Sequence, residues 1–237
     1  MFAEVKAELQ SIAERDPAAR SLLEVFLLYP GYKAVRKHRR AHWFWNHGRK
    51  FLALWLSKRN RRKTGIEIHP AARIGRGLFI DHGMGLVIGE TVTIGDYVTL
   101  YQGVTLGGTG KDVGKRHPDI GDHVVVGAGA KVLGPFMVGA RAKIGAGAIV
   151  LKEVPPDATV VGNPGHIVRS GHTPDALDHI HMPDPIEAHI RRSKERIDTL
   201  EYCIRRLSMG EPCSQCENYD AVTCIRNKLE EIIDDDL

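Results

Sequence analysis

No cysteine precedes position 203 in this 237-residue chain; all four, Cys203, Cys213, Cys216 and Cys224, fall in its last stretch. That excludes a disulfide framework for the body of the protein and fits a reducing cytoplasm. No run of about 18 apolar residues occurs, which excludes a hydrophobic transmembrane helix. The start, Met1-Phe2-Ala3-Glu4-Val5-Lys6, lacks the basic segment and apolar core of a signal peptide. The net charge of +4 is too mild to demand a polyanionic partner, though it suits an anionic small molecule. At 43% hydrophobic and 26% charged residues, the rest of the composition is ordinary for a globular protein.

What the chain does have is a period of six. Ile68, Ile74 and Ile80 begin it, Ile88, Ile94, Leu100 and Leu106 continue it, and Ile120, Val126, Val132, Val138, Ile144 and Val150 complete it. Glycine often follows, as at Gly75, Gly89, Gly95, Gly121, Gly127, Gly139 and Gly145. Six fits neither a helix nor a plain strand. It fits a solenoid of short strands with tight corners, the aliphatic residue pointing inward, and three such steps per turn give a triangular parallel β-helix. Two stretches break the rhythm: Asp81-His82-Gly83-Met84-Gly85, and Gly107 to Asp119. Insertions in a repeat protein map to loops, often on the binding face, so these two carry the search for chemistry.

The flanks read as helices. Phe2, Val5, Leu9 and Ile12, then Leu22, Leu23, Phe26 and Leu27, recur at helical spacing. Tyr29-Pro30-Gly31 reads as a turn, with two more helices through Trp43-Phe44-Trp45 and through Phe51, Leu54 and Trp55. The basic runs Lys33 to Arg40 and Lys58 to Lys63 read as solvated helix faces. Val154-Pro155-Pro156 is expected to end the last face of the prism, and Asn163-Pro164-Gly165 to turn. Residues 170 to 186 look like a linker, and Pro185 to Ser208 like an amphipathic helix. The expected domains are 1–64 helical, 65–168 β-helix, and 169–237 linker and helical tail.

Several motifs narrow the reading: Gly65-Ile-Glu-Ile-His-Pro70, Ile80-Asp-His-Gly-Met-Gly85, Val87-Ile-Gly-Glu-Thr91, Gln102-Gly-Val-Thr-Leu-Gly-Gly-Thr-Gly110 and Lys115-Arg-His-Pro118. Over about residues 8 to 168 the chain resembles the serine O-acetyltransferases, a family of hexapeptide-repeat acyltransferases whose prism winds left-handed. The resemblance implies transfer of acetyl from acetyl-CoA to the serine hydroxyl, the first step of cysteine biosynthesis from serine, with no catalytic metal. It makes His82 the general base and Glu67 the acid that orients it, at a position where most members carry Asp. It makes Asp16, Asp81, Arg116 and His117 the serine-binding set. It lays acetyl-CoA along Gly108, Thr109, Ala128, Gly129 and Ala146. It implies a homotrimer with sites between subunits, with the helical part able to pair trimers into a hexamer.

The residue chemistry agrees. Transfer from a thioester to a hydroxyl needs a base, and histidine suits that at neutral pH. An amino acid needs a carboxylate for its ammonium and a cation for its carboxylate, for which guanidinium offers two parallel hydrogen bonds. Alternatives stand beside this reading. Another hexapeptide acetyltransferase would use a sugar or amine acceptor. A carbonic anhydrase of the same fold would hold a metal on three histidines, here His82, His117 and His123. A partner-binding scaffold would use neither site. The four cysteines could hold a structural zinc, form a redox pair or stay unligated. Many members end in an isoleucine that enters O-acetylserine sulfhydrylase; this sequence ends in Leu237 behind three aspartates.

Overall fold

The computed structural model describes residues 2–110, 113–170 and 185–208. It divides into two compact units, Met1–Pro185 and Ile186–Leu237. In the first, α1 (Phe2–Arg15), α2 (Leu22–Leu28), α3 (Pro30–Asn46) and α4 (Lys50–Thr64) precede a stack of very short strands. The described part of the second is α5 (Pro185–Ser208) from Ile186 onward, a helix over the span that the sequence pattern predicts.

The strands form three parallel faces. Face A stacks β1 (Glu67–Ile68), β4 (Val87–Ile88), β7 (Thr105–Gly107), β10 (Lys131–Leu133) and β13 (Ile149–Val150). Face B stacks β2 (Arg73–Ile74), β5 (Thr93–Ile94), β8 (Asp119–Ile120) and β11 (Met137–Val138). Face C stacks β3 (Phe79–Ile80), β6 (Thr99–Leu100), β9 (Val125–Val126), β12 (Lys143–Ile144) and β14 (Ala158–Val161).

The register puts each aliphatic residue of the period above its counterpart one coil below. Ile68, Ile88, Leu106, Val132 and Val150 form one column on face A. Ile80, Leu100, Val126, Ile144 and Val160 form another on face C. These residues are almost wholly buried and belong to one continuous core. The glycines that follow them are required by close stacking at the corners: a Cβ on Gly75 would meet the carbonyl oxygen of Gly95 at 2.6 Å.

Two expectations are corrected. Tyr29-Pro30-Gly31 is no turn: Tyr29 is the N-cap of α3 and Pro30 its first residue, a position where the missing N–H costs nothing. Gly31 lies within the helix because a side chain there would strike Ile80, an added Cβ standing 2.2 Å from its carbonyl oxygen. The prolines at 155 and 156 do not close the prism either. Val154 bridges to Val138, β14 adds another rung to face C, and β15 (His166–Ser170) folds back antiparallel on it.

Helices α1 to α3 seat on face C, and α4 seats on β1 of face A. Leu9, Ile12, Val25 and Tyr32 enclose Phe79 of β3, and Ser57 Oγ donates to the Ile68 carbonyl at 2.6 Å. Part of the basic runs is spent on such ties. Arg36 stacks over Phe26, Arg39 pairs with Glu8, and Lys58 and Arg61 both reach Glu67.

Candidate active site

The break at 81–85 lies between β3 and β4, at the edge joining faces C and A. The break at 107–119 lies between β7 and β8, at the edge joining faces A and B. The two breaks therefore lie on different edges of one chain, separated by the width of face A.

At the first edge, His82 projects its ring into solvent, its side chain 74% exposed, with Nε2 3.9 Å from Asp81 Oδ1. Its φ of 56° is a corner feature, shared with Tyr97, His123, Arg141 and Asp157 at other corners. Asp16 joins this edge from the loop after α1. Its Oδ1 accepts from the Ala18 N–H at 2.8 Å, and the Tyr29 hydroxyl donates to Oδ2 at 2.5 Å. Arg15 clamps that loop to the prism, donating to the carbonyls of Gly77, Tyr97 and Val98. Burial lowers Arg15 only to about 10, so it stays cationic at neutral pH.

This edge is electrically negative. Burial raises the Asp81 carboxyl above the usual aspartate range and the charge of Asp16 raises it further, against the pull of His82. Burial, then the bond to Asp16, raises Tyr29; burial, then Asp81 and Asp16, raises Tyr101. Two carboxylates short of a counter-charge are what an ammonium ligand would relieve.

At the second edge, Arg116 Nη2 meets Glu90 Oε2 at 2.5 Å, and that bond holds the Glu90 carboxyl below its ordinary range. The Thr91 hydroxyl lies 2.8 Å from His117 Nδ1 and accepts the backbone N–H groups of Arg116 at 3.2 Å and His117 at 3.1 Å. Lys115 donates to the Thr91 carbonyl at 2.7 Å and pairs with Asp119 at 2.6 Å. His117 is 8% exposed, its imidazole packed against Gly89, where an added Cβ would stand 2.0 Å from Cδ2. Burial, then Arg116, lowers its pKa. A cavity of about 710 Å³, lined in part by His42, Trp45, Arg73, Glu90, Thr91 and Lys115, adjoins this edge.

The expected residues thus divide. Asp16, Asp81 and His82 gather at the C–A edge, Arg116 and His117 at the A–B edge. Glu67 stands on face A, its carboxylate shared by Lys58 at 3.1 Å and Arg61 at 3.0 Å. The cofactor set divides too. Gly108 and Thr109 follow β7 toward the A–B edge, and Gly108 backs directly onto Arg116, whose carbonyl oxygen an added Cβ would meet at 2.8 Å. Ala128, Gly129 and Ala146 lie along the C–A edge, in the column above His82. There Gly103, Gly129 and Gly147 take positive φ and donate to the carbonyl of the coil below, and no atom lies within 4 Å of a Cβ added at Gly129 or Gly147.

The alternative metal set fares differently: His82, His117 and His123 occupy three different edges, the last between β8 and β9. Among the described residues no cluster of three or more histidine, cysteine, aspartate or glutamate side chains could hold a metal. Cys213, Cys216, Cys224 and Leu237 lie outside the described residues, as does most of the expected linker. Tyr29, Gly89, Glu90, Thr91 and Tyr101 have no assigned role in the sequence reading. The run Gly89-Glu90-Thr91 was visible as a motif, but nothing local tied it to Arg116 and His117.

Residues 117–152 match the bacterial transferase hexapeptide (six repeats) profile, and residues 1–37 the serine acetyltransferase N-terminal profile. The chain is 53% identical over 210 residues to a serine acetyltransferase of Synechococcus elongatus, covering 88% of this chain and 86% of that one. Among solved structures it is similar to the serine acetyltransferase of Brucella abortus in complex with coenzyme A, at 46% identity and a TM-score of 0.70 over 73% of this chain and 69% of that one. It is also similar to the serine acetyltransferase of Neisseria gonorrhoeae in complex with serine, at 45% identity and a TM-score of 0.68 over 71% and 69% of the two chains.

Proposed function

This chain belongs to the serine acetyltransferase family, with its left-handed parallel β-helix, and on that premise we propose how its residues move acetyl from acetyl-CoA to serine. The observation that carries the reading is the pair of half-sites: one anionic with an open histidine, the other cationic with a buried one.

Asp81 and Asp16 receive the serine ammonium, and Arg116, held by Glu90, receives its carboxylate. His82 takes the hydroxyl proton as the serine oxygen attacks the thioester carbonyl. The tetrahedral intermediate collapses with cleavage of the C–S bond, and the proton passes from His82 to the departing thiolate, giving O-acetylserine and CoA. His117 binds the substrate beside the reacting oxygen. Glu67 orients His82, and its ties to Lys58 and Arg61 fix where its carboxylate stands. The glycine column above His82, with Ala128, Gly129 and Ala146, takes the pantetheine arm of acetyl-CoA, because a Cβ-free edge lets a long ligand lie against backbone. Gly108 and Thr109 complete that groove from the other edge.

The unit is a homotrimer, as the family resemblance implies; a neighbouring copy is what can set the A–B edge of one chain against the C–A edge of another. Its domains are 1–64, 65–168 and 169–237, its compartment the cytoplasm, and its tail the segment that would meet O-acetylserine sulfhydrylase. Among the described residues no helix is long and apolar enough to cross a membrane.

The test is CoA release followed with L-serine, homoserine and amino sugars as acceptors. Serine should be strongly preferred. Preference for an amino sugar would overturn the assignment and favour a sugar acetyltransferase.

A further inference from the structure

We propose that Thr91 is a positioning residue: its hydroxyl fixes His117 in the tautomer that carries the proton on Nε2, so that His117 serves the site as a hydrogen-bond donor and not as a base. Its consequence for turnover rests on the serine acetyltransferase reading; the tautomer itself does not.

The assignment follows from counting donors and lone pairs. A threonine hydroxyl has one hydrogen to give and two lone pairs to receive. The backbone N–H groups of Arg116 and His117 occupy both lone pairs of Thr91 Oγ1, at 3.2 and 3.1 Å. Its own hydrogen is therefore the one shared with His117 Nδ1, 2.8 Å away. The same nitrogen accepts the Thr91 backbone N–H at 3.3 Å. A nitrogen that receives two donors has no place for a proton, and a neutral imidazole then carries its proton on the other nitrogen.

Nε2 lies over Gly89, where only glycine leaves room. Protonating Nδ1 would set N–H against both O–H and N–H. The surroundings oppose a second proton as well: burial, Arg116, Lys115 and His69 all disfavour it, and only Glu90 favours it. The three residues of the corner after β4 thus share one task. Gly89 makes space for the ring, Glu90 holds Arg116, and Thr91 turns the buried histidine into a fixed donor. The open His82 is left as the acceptor.

The test is nitrogen-15 NMR of the histidines in the full-length protein, with His117 assigned from the spectrum of His117→Gln. The wild-type protein should show His117 with an unprotonated Nδ1 and a protonated Nε2 through neutral pH. Thr91→Val keeps the shape and removes the hydroxyl; it should release His117 into a mixture of tautomers and lower kcat by about tenfold, the worth of one hydrogen bond, while the KM for acetyl-CoA stays unchanged. Thr91→Ser should restore both the signature and the rate. A protonated Nδ1 in the wild-type protein would overturn the proposal, as would a Thr91→Val protein with wild-type tautomer and kinetics. Should Thr91→Val fail to fold, the wild-type spectrum alone decides. A wild-type protein that releases no CoA with serine would count against the activity assignment and leave the tautomer result standing.

Discussion

His38, on the buried side of α3, should set the acid limit of the fold. It is only 4% exposed, and its Nδ1 has no hydrogen-bond partner. Burial, followed by the neighbouring His42, drives its pKa from 6.5 down to about 3, with Arg39 and His69 acting in the same direction and the Ala72 carbonyl against it. Below about pH 6.5 the unfolded chain binds a proton here that the folded chain refuses. The unfolded state then holds more protons, so stability declines as pH falls. The contribution is whole above pH 6.5 and is lost progressively toward pH 3. At pH 5 linkage puts the loss at about 2 kcal/mol. The perturbation is His38→Leu, which fills the site without a titratable group. Urea midpoints at pH 7.5 and 5.0, at one protein concentration, give the stability change across the window for each protein. The wild-type protein should lose about 2 kcal/mol more than the variant over that interval. Equal losses would refute a histidine kept neutral by burial.

The two half-sites should fail differently. His82→Ala should lower kcat by about 10²–10⁴ with little change in the KM for acetyl-CoA, Glu67→Gln should lower it less, and Arg116→Ala should raise the KM for serine instead; near-normal turnover in His82→Ala would reverse the roles of the two histidines. Because burial and Asp16 hold the Asp81 carboxyl high, serine binding should weaken on acidification at a higher pH than an ordinary aspartate would cause, and Asp16→Asn should shift that onset downward; an unchanged pH profile of kcat/KM for serine would remove Asp16 from the pair. Gly31→Ala should destabilise by about 1–3 kcal/mol through overpacking against Ile80, visible as a lower thermal midpoint; an unchanged midpoint would show that α3 can lift from the prism without cost.

The prism was legible because its physics is local and periodic: each inward aliphatic from Ile68 to Val150 needs the same corner six residues on, and the structure stacks them in register. The helices were legible for the same reason, down to the end of α4 at Thr64 and the left-handed Gly65 after it. Pro30-Gly31 misled because proline and glycine mark turns on average, whereas here one opens a helix and the other clears Ile80. The placement of the candidate residues was half legible. His82 and His117 stood out as histidines at the two breaks, but which edge each break occupies depends on counting coils. The helpers were hidden for a related reason. Tyr29 meets Asp16 across the length of α2, and Thr91 meets His117 one coil up.

The division of the site between two edges is tested most directly by complementation. His82→Ala and Arg116→Ala proteins should each be nearly inactive when assayed at serine well below saturation. If subunits are unfolded together in equal amounts and refolded, a site is intact wherever the Arg116→Ala chain supplies His82 and its neighbour supplies Arg116. Random assembly of a trimer with sites between subunits gives about one intact site in four. Recovery of about a quarter of wild-type activity is the predicted result; a mixture no more active than its two parents would contradict it and put the whole site within one chain.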